Sequence, residues 1–387
     1  MRIFLMTLFV CALSLGESQV PQGIDRFAFS MFPKVATKKG NLLYSSSSIH
    51  QGLALLMAGS RGATLDEFSS VLSLSKDFTF AKEYRDIISY WNSADHPYQI
   101  LSANALWTQK GITLQADYLK ILREDFLSAM NQVDFAAAPD KAKDTINTWV
   151  EKQTNSKIKD LLSVEMVPPT TKLILVNAVY FKSAWLNIFD KNSTTREKFF
   201  KTKKTTLSVP MMKNEGTYNY LSRGDFDLVE LPYRGQDTAM DLIIPRQKFG
   251  LNALEKTFTY ENFSKWMKDL KFEKVELSLP RFTFKSYFQL KDVLTALGIK
   301  SAFGEGDFSG MGQEKFTLSE VVHKSFINVD EFGTEAAAAT ASVMMSASAP
   351  DPKKPKIVKA DRPFLFVIRD TEKNVILFVG RVDDPSN

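Results

Sequence analysis

The chain has 387 residues, 44% of them hydrophobic, and its 49 Lys and Arg against 44 Asp and Glu leave a formal charge of +5. That balance is too mild for a nucleic-acid partner held by phosphate contacts, and beyond the amino terminus no apolar run approaches the roughly 20 residues that span a bilayer. Three histidines, one cysteine and no G-x-S-x-G elbow, H-E-x-x-H pair or glycine-rich phosphate loop give no reason to expect an enzyme, a metal or a cofactor.

Residues 1–16 begin with Arg2, run through apolar residues 3–15 and end on small residues at Ser14 and Gly16. This is the pattern of a secretory signal peptide, with cleavage expected after Gly16 or Ser18 and a run too short for a membrane anchor. The only cysteine, Cys11, lies inside it, so the mature chain is expected to be secreted without disulfides and to depend on its core. The remaining length exceeds the usual size of a single core. No Gly/Ser-rich or Pro-rich linker and no internal repeat divides it, so one large domain over 17–387 is expected.

Helical spacing of apolar residues predicts helices over 24–35, 48–59, 63–74, 80–91, 116–128 and 140–153, with Asp66 and Asp77 near helix starts. Strands are expected over 99–107 and 173–181, the second so continuously apolar that it should be buried on both faces. From 206 to 244 short strands alternate with Gly- or Asn-containing turns, which reads as an antiparallel sheet. Short helices near Leu251 and over 261–270 precede strands 274–280 and 283–288, a helix over 290–297 and a strand over 318–329. Strands 364–369 and 375–382 close an α+β chain, helices first and sheets later.

The histidines are His50, His96 and His323. A Ser48–His323 pair is the one candidate fragment of a nucleophilic triad; the preferred reading is a core histidine on an apolar strand, bonded to Ser45 or Asn177. Two sequons, at Asn192 and Asn262, are glycan acceptors if the chain is secreted. Basic clusters Lys201, Lys203, Lys204 and Lys353, Lys354, Lys356 could meet a polyanion such as a glycosaminoglycan, although such clusters are more often solvated faces.

The stretch 321–350, VVHKSFINVDEFGTEAAAATASVMMSASAP, begins as a strand and changes character at Asp330, Glu331 and Gly333. The fourteen residues 334–347 hold only small side chains, one Glu, one Val and two Met. Composition alone allows a helix, since Ala is the best helix former, or a low-complexity linker. The prolines argue for a third reading: none falls within 333–349, and then Pro350, Pro352 and Pro355 follow. A segment that must become a central strand cannot contain Pro, and one that stays outside the sheet can.

The run GTEAAAATA resembles the hinge of the serpin family, large inhibitors that present an exposed loop to a serine protease. The resemblance covers nearly the whole mature chain. NLLYSSSSIHQGLALLMAGSRGAT is similar to the family's early shutter strand and helix, and LILVNAVYFKSAW to its signature central strand. VPMMKNEGTYNY, LPYRGQDTAMDLIIP, LPRFTFKSYFQLKDVLTALGI, LSEVVHKSFINVDEFGTEA, DRPFLFVIRD and VILFVGRV follow in the family's order. It implies a serpin-like α+β fold: helices on a large mixed central sheet, two further antiparallel sheets and an exposed reactive loop at about 331–355.

It further implies an inhibitory suicide substrate, cleaved in its loop by a target serine protease that is trapped as an acyl-enzyme when the freed segment enters the sheet. The alternative is a non-inhibitory serpin acting as carrier, chaperone or plain substrate. The implied hinge is Glu331, Gly333, Thr334, Glu335, Ala336, Ala337, Ala338 and Ala339, and the implied shutter is Ser45, Ser48, Asn177 and His323. Counting forward from Glu331 puts the scissile bond at Ala347–Ser348, with Met344, Met345 and Ser346 as recognition residues. A small apolar residue before the bond suits elastase-like proteases; the runner-up, Met345–Ser346, suits chymotrypsin-like or cathepsin-G-like ones. Thr334 is expected to be the first side chain to turn into the sheet, so that Thr334→Arg would block insertion and leave the native fold intact. Two positions depart from the family pattern. Ser46 replaces the usual Pro, expected to affect only local stiffness, and Phe332 replaces a polar residue at the base of the hinge, where it could slow or tether entry. A monomer is expected.

Overall fold

The structure is a computed structural model and describes residues 18–128, 130–335 and 354–386. Expectations for the signal segment, Cys11, Ala336 to Ala339, Met344 to Ser348 and Lys353 lie outside the described residues.

Helices come first. α1 (Gln19–Val35) leads through β1 (Leu42–Tyr44) into α2 (Ser46–Gly59), α3 (Gly62–Leu72) and α4 (Phe80–Trp91). β2 (Tyr98–Gln109), α5 (Ala116–Glu124), β3 (Met130–Val133), α6 (Pro139–Gln153) and β4 (Leu173–Ala184) follow. α2 starts two residues before the expected position because Ser45 caps it, its hydroxyl accepting from the Ser48 N–H at 3.3 Å. α5 stops short of residue 128 because Leu127 takes a left-handed φ of 46°.

β5 (Thr195–Phe200), β6 (Thr206–Ser222), β7 (Phe226–Pro232) and β8 (Thr238–Pro245) come next, then α7 (Leu251–Thr257) and α8 (Tyr260–Lys268). After β9 (Lys271–Pro280), β10 (Phe282–Gln289) and α9 (Lys291–Leu297), the chain enters β11 (Leu318–Asp330) and a two-residue strand, β12 (Gly333–Thr334). β13 (Lys356–Lys359), β14 (Phe364–Asp370) and β15 (Val375–Val382) close it. The expected short strands at the start of 206–244 are one strand of 17 residues: Gly216, read as a turn, lies inside β6 with the Tyr218 ring filling the space its side chain would take.

Among the described residues the strands form two sheets. The central one runs β10-β11-β12-β4-β2-β3; the other runs β1-β15-β14-β8-β7-β6-β9-β13, with β5 beside β6. The two further sheets expected from sequence are therefore joined, because β6 pairs with β5 and β9 along most of its length and with β7 through its last residues. They are also not wholly antiparallel, since β13 runs parallel to β9.

β4 is buried on both faces, as its composition predicts. Leu173, Leu175, Val179 and Phe181 face the main core toward the helices and the second sheet, while Ile174, Val176 and Ala178 face a smaller core under α6 with Ile146 and Val150. β11 lies parallel to β4, from Leu318 opposite Leu173 to Phe326 opposite Tyr180. Nothing separates the two strands there. At the far end β12 sits between them, and this is where the candidate site begins.

Candidate functional site: a hinge, its anchor and a polar lock in the central sheet

β11 ends at Asp330 because a tight turn follows, with the Phe332 N–H donating to the Asp330 carboxylate at 2.9 Å. Gly333 and Thr334 then double back antiparallel to both neighbours: Thr334 lies opposite Val329 and Ser183, and Gly333 opposite Asp330 and Ala184. Only glycine fits at 333, because a Cβ there would overlap the Ser183 carbonyl oxygen and the Ala184 backbone. The Thr334 side chain is wholly buried, its hydroxyl 2.6 Å from that of Tyr233, whose ring is stacked on Trp185 at 4.5 Å. Thr334 is thus already inside the sheet, so Thr334→Arg cannot leave the native packing untouched as the sequence reading expected; it would bury a guanidinium between two strands.

Glu335 follows β12. Its N–H donates to the Asn328 carbonyl at 2.9 Å, but its φ of 48° is left-handed and lies outside strand geometry. Its carboxylate pairs with Lys157, in the loop after α6, and sits against Tyr180, whose phenol is pushed above its ordinary value by burial and then by the Glu335 charge.

The anchor of this turn is Glu331, 1% exposed. Its carboxylate accepts from Arg281 Nε at 2.7 Å and Nη2 at 2.5 Å and from the Thr194 hydroxyl at 2.5 Å. Burial raises this carboxyl, but the bonds from Arg281 and Thr194 outweigh it and hold the group below the usual glutamate value. Trp185 ties the rest of the turn, donating its backbone N–H to the Phe332 carbonyl at 2.8 Å and its indole N–H to the Asp330 carbonyl at 2.9 Å. The Phe332 ring stands under the Lys191 ammonium at 4.5 Å, a cation–π contact at the turn before β12.

Deeper in the sheet, His323 on β11 lies directly opposite Asn177 on β4, both fully buried. The Ser45 N–H donates to His323 Nε2 at 3.2 Å, so Nδ1 carries the proton and donates to Asn177 Oδ1 at 2.5 Å. Asn177 Nδ2 in turn donates to Ser48 Oγ at 2.9 Å and to Asn104 Oδ1, and Asn104 Nδ2 to Gln51 Oε1 at 3.1 Å. The network therefore crosses β11, β4, β2 and the start of α2. Burial lowers the His323 pKa to about 3, which keeps the ring neutral.

The candidate triad fragment is absent: Ser48 Oγ bonds Asn177, Asn104 and Ser102, and His323 has no contact with it that would activate a nucleophile. Ser46 does more than change stiffness, since its hydroxyl donates to the Ile376 carbonyl at 2.9 Å, a bond Pro could not make. Sequence reading missed Arg281, Lys157, Tyr233, Asn104 and Gln51. It met Thr194 only as part of a sequon, and no local pattern joins it to Glu331, 137 residues away. Of the basic residues, Lys201 is held by Asp384 at 2.7 Å, while Lys203, Lys204, Lys354 and Lys356 are exposed.

Comparison with known proteins agrees with this arrangement. The profile of the family "Serpin (serine protease inhibitor)" matches residues 22–385. An uncharacterized serpin-like protein of Thermococcus kodakarensis is 38% identical over 380 residues, covering 96% of this chain and 87% of that protein. Human serpin B4 is 34% identical over 383 residues, covering 93% and 98%. Among solved structures, Serpin48, described as a highly specific serpin of the insect Tenebrio molitor, aligns with a TM-score of 0.86 at 32% identity over 96% of this chain and 99% of that one. Uncleaved ovalbumin aligns with a TM-score of 0.85 at 27% identity over 95% and 100%. The chain belongs to the serpin family, a family of protease inhibitors and not of enzymes.

Proposed function

We propose that the protein is a secreted, monomeric inhibitor of serine proteases of elastase-like or chymotrypsin-like specificity, acting as a suicide substrate. The observation that carries this is β12. Two residues of the segment that would have to enter the sheet are paired on both sides between β4 and β11, and below them those two strands are joined to each other directly, by their own ladder, the His323–Asn177 bond and the stacked Tyr180 and Phe326 rings. The residues that would follow Glu335 are small and free of proline up to Pro350, the composition a central strand accepts.

The protease serine attacks the Ala347 carbonyl, with Met345–Ser346 the second choice, and an acyl bond to the loop replaces the peptide bond. Insertion then carries the acyl-enzyme away before water can release it. Incubation with pancreatic elastase and with chymotrypsin, followed by a denaturing gel, tests this. A covalent band at the summed mass and a released fragment beginning at Ser348 are expected. Cleaved chain without that band overturns inhibition, and a fragment starting elsewhere overturns the assignment of the bond.

The second reading, a serpin that is cleaved without trapping its protease, is favoured by Phe332 under Lys191. An aromatic tether at the base of the hinge slows insertion, and slow insertion lets the acyl-enzyme hydrolyse first. Secretion rests on residues 1–16 and predicts a mature amino terminus at Glu17 or Gln19 together with glycan at the exposed Asn192. Asn262 is half-buried, its amide donating to the Thr257 carbonyl at 2.8 Å. Polyanion binding would fall to Lys203 and Lys204 in the first basic cluster, because Lys201 is already engaged, or to the exposed Lys354 and Lys356 of the second.

A further inference from the structure

Sequence groups Lys201, Lys203 and Lys204 as one basic cluster, but the fold takes one of these lysines out and brings three other cations in. β5 and the start of β6 form a hairpin whose loop is Lys203 and Lys204. Thr202 and Thr205 close it, the Thr202 N–H donating to the Thr205 carbonyl at 3.0 Å and the Thr205 N–H to the Thr202 carbonyl at 3.3 Å. Side chains alternate along β5: Glu197 shares a face with the buried Phe199, while Arg196, Lys198 and Phe200 share the other. Arg196 and Lys198 are exposed, and Lys248, from the loop after β8, lies with its ammonium 3.4 Å from the Phe200 ring centroid. Arg196, Lys198 and Lys248 over Phe200 thus make a row at steps of about 7 Å along the strand. With the two loop lysines it brings five cations within roughly 24 Å.

The row carries unmatched charge. Lys201 is held by Asp384 at 2.7 Å, Asp361, whose carbonyl accepts the Phe200 N–H, is held by Arg362 at 2.6 Å, and Glu197, on the opposite face, is held by Lys213 at 2.6 Å. The β6 residues opposite the row are Pro210, Ser208 and Thr206, none of them acidic. Arg196, Lys198, Lys203, Lys204 and Lys248 make no ion pair with the described residues. Two of them are nonetheless fixed in place, Lys248 by the ring and Arg196 by Ser208, whose hydroxyl lies 3.2 Å from Nε and whose carbonyl lies 2.5 Å from Nη2. Little side-chain freedom is left for those two to lose on meeting an anion.

We propose that this row, Arg196, Lys198 and Lys248 with the loop lysines Lys203 and Lys204, binds a linear sulfated polysaccharide. The inference deepens the polyanion reading above and rests on it, and on secretion, which brings the chain to such polymers. The shape of the row selects the occupant. A compact anion meets one or two of these side chains, whereas an extended polyanion meets all five and releases about one counterion for each. A nucleic-acid strand holds its bases on open aromatic faces, and the one ring in the row is covered by Lys248.

The test is the affinity for heparin at a series of salt concentrations, measured by calorimetry for wild type, Lys198→Ala, Lys248→Ala and a double variant, Lys354→Ala with Lys356→Ala. All four lysines are exposed, so folding is kept, which an unchanged melting temperature checks. Lys198→Ala and Lys248→Ala are each expected to weaken binding about three-fold or more near physiological salt. Each should also lower the slope of log affinity against log salt, about 4 in wild type, by about 1. The double variant is expected to bind as wild type does. Lys248→Ala is the decisive variant, since Lys248 lies in neither basic cluster of the sequence. Unchanged affinity and slope in Lys198→Ala and Lys248→Ala overturn the row; if the double variant alone loses binding, the polyanion reading stands and moves to Lys354 and Lys356. Wild type that does not bind heparin overturns the row and the polyanion reading together, while the mature amino terminus tests secretion separately. Single-stranded DNA of equal charge, or vesicles of anionic phospholipid, bound as tightly as heparin and with the same losses, overturn the assignment to a sulfated polysaccharide.

Discussion

His323 holds β11 to β4 as a neutral ring, and its protonation would set an N–H at Nε2 against the Ser45 N–H that now donates to it. Burial lowers its pKa to about 3 and that of His50 to about 4, against 6.5 for an ordinary histidine. Both shifts are downward, so the unfolded chain binds the extra protons; stability is full above pH 6.5 and is lost as pH falls toward those folded values. Asp25 acts in the opposite sense, since burial raises its carboxyl to about 7 and its share of stability is lost as pH rises toward that value. The shared trend hides the single group, and a variant isolates it. In His323→Gln the drop in unfolding free energy between pH 6.5 and 4 should be smaller by about 3 kcal/mol than in wild type, measured by urea denaturation at each pH. Equal drops would show that His323 is charged, or solvated, in the folded state.

At the scale of elements the decisive one is β12, two residues long. It is held by main-chain pairing on both sides, by the Thr334–Tyr233 bond, and by the Glu331 anchor just before it. Glu335 is in a left-handed conformation, outside strand geometry, and is paired to Lys157. Further insertion must return Glu335 to an extended conformation and break that ion pair, so the element is stopped rather than finished. Thr334→Arg should expel β12, because an unpaired buried guanidinium costs several kcal/mol, more than the two paired residues and one hydroxyl bond contribute. The expected result is a fall in stability of about 1–2 kcal/mol by chemical denaturation together with conversion from inhibitor to substrate. A variant that still forms the covalent complex at wild-type stoichiometry removes Thr334 from the hinge.

At the scale of the whole molecule, the intact chain keeps β4 and β11 joined by one parallel ladder, although β11 is 13 residues long and β4 is 12. Residues 335–347 extended at about 3.3 Å each span roughly 43 Å, the length of those strands. Opening the ladder and inserting that segment replaces one set of strand pairings with two. The net gain is about one ladder, on the order of 10 kcal/mol at about 1 kcal/mol per hydrogen bond, comparable with the entire stability of an ordinary domain. A nick in a passive loop leaves the melting temperature alone or lowers it; a nick between Met344 and Ser348 should raise it by tens of degrees. Parallel melting scans of intact and nicked protein check this, and a nicked form that melts no higher than the intact one returns the protein to the non-inhibitory reading.

Much of this was legible in the sequence because it depends on local periodicity. The apolar run 173–181 reads as a strand covered on both faces, and β4 is buried on both. The order of motifs named the family for the same reason, since each motif is contiguous. Tertiary structure decided what contiguity cannot carry. That Gly333 and Thr334 are already inside the sheet follows from the space between β4 and β11, which no local pattern encodes. Ser46 looked like a lost proline until the Ile376 carbonyl was found above its hydroxyl, and Thr194 looked like part of a sequon until Glu331 was found at 2.5 Å. Buried polar groups must find partners wherever the fold brings them, and that distance in sequence is why the anchor and the polar lock, unlike the strands they join, could be read only from the folded chain.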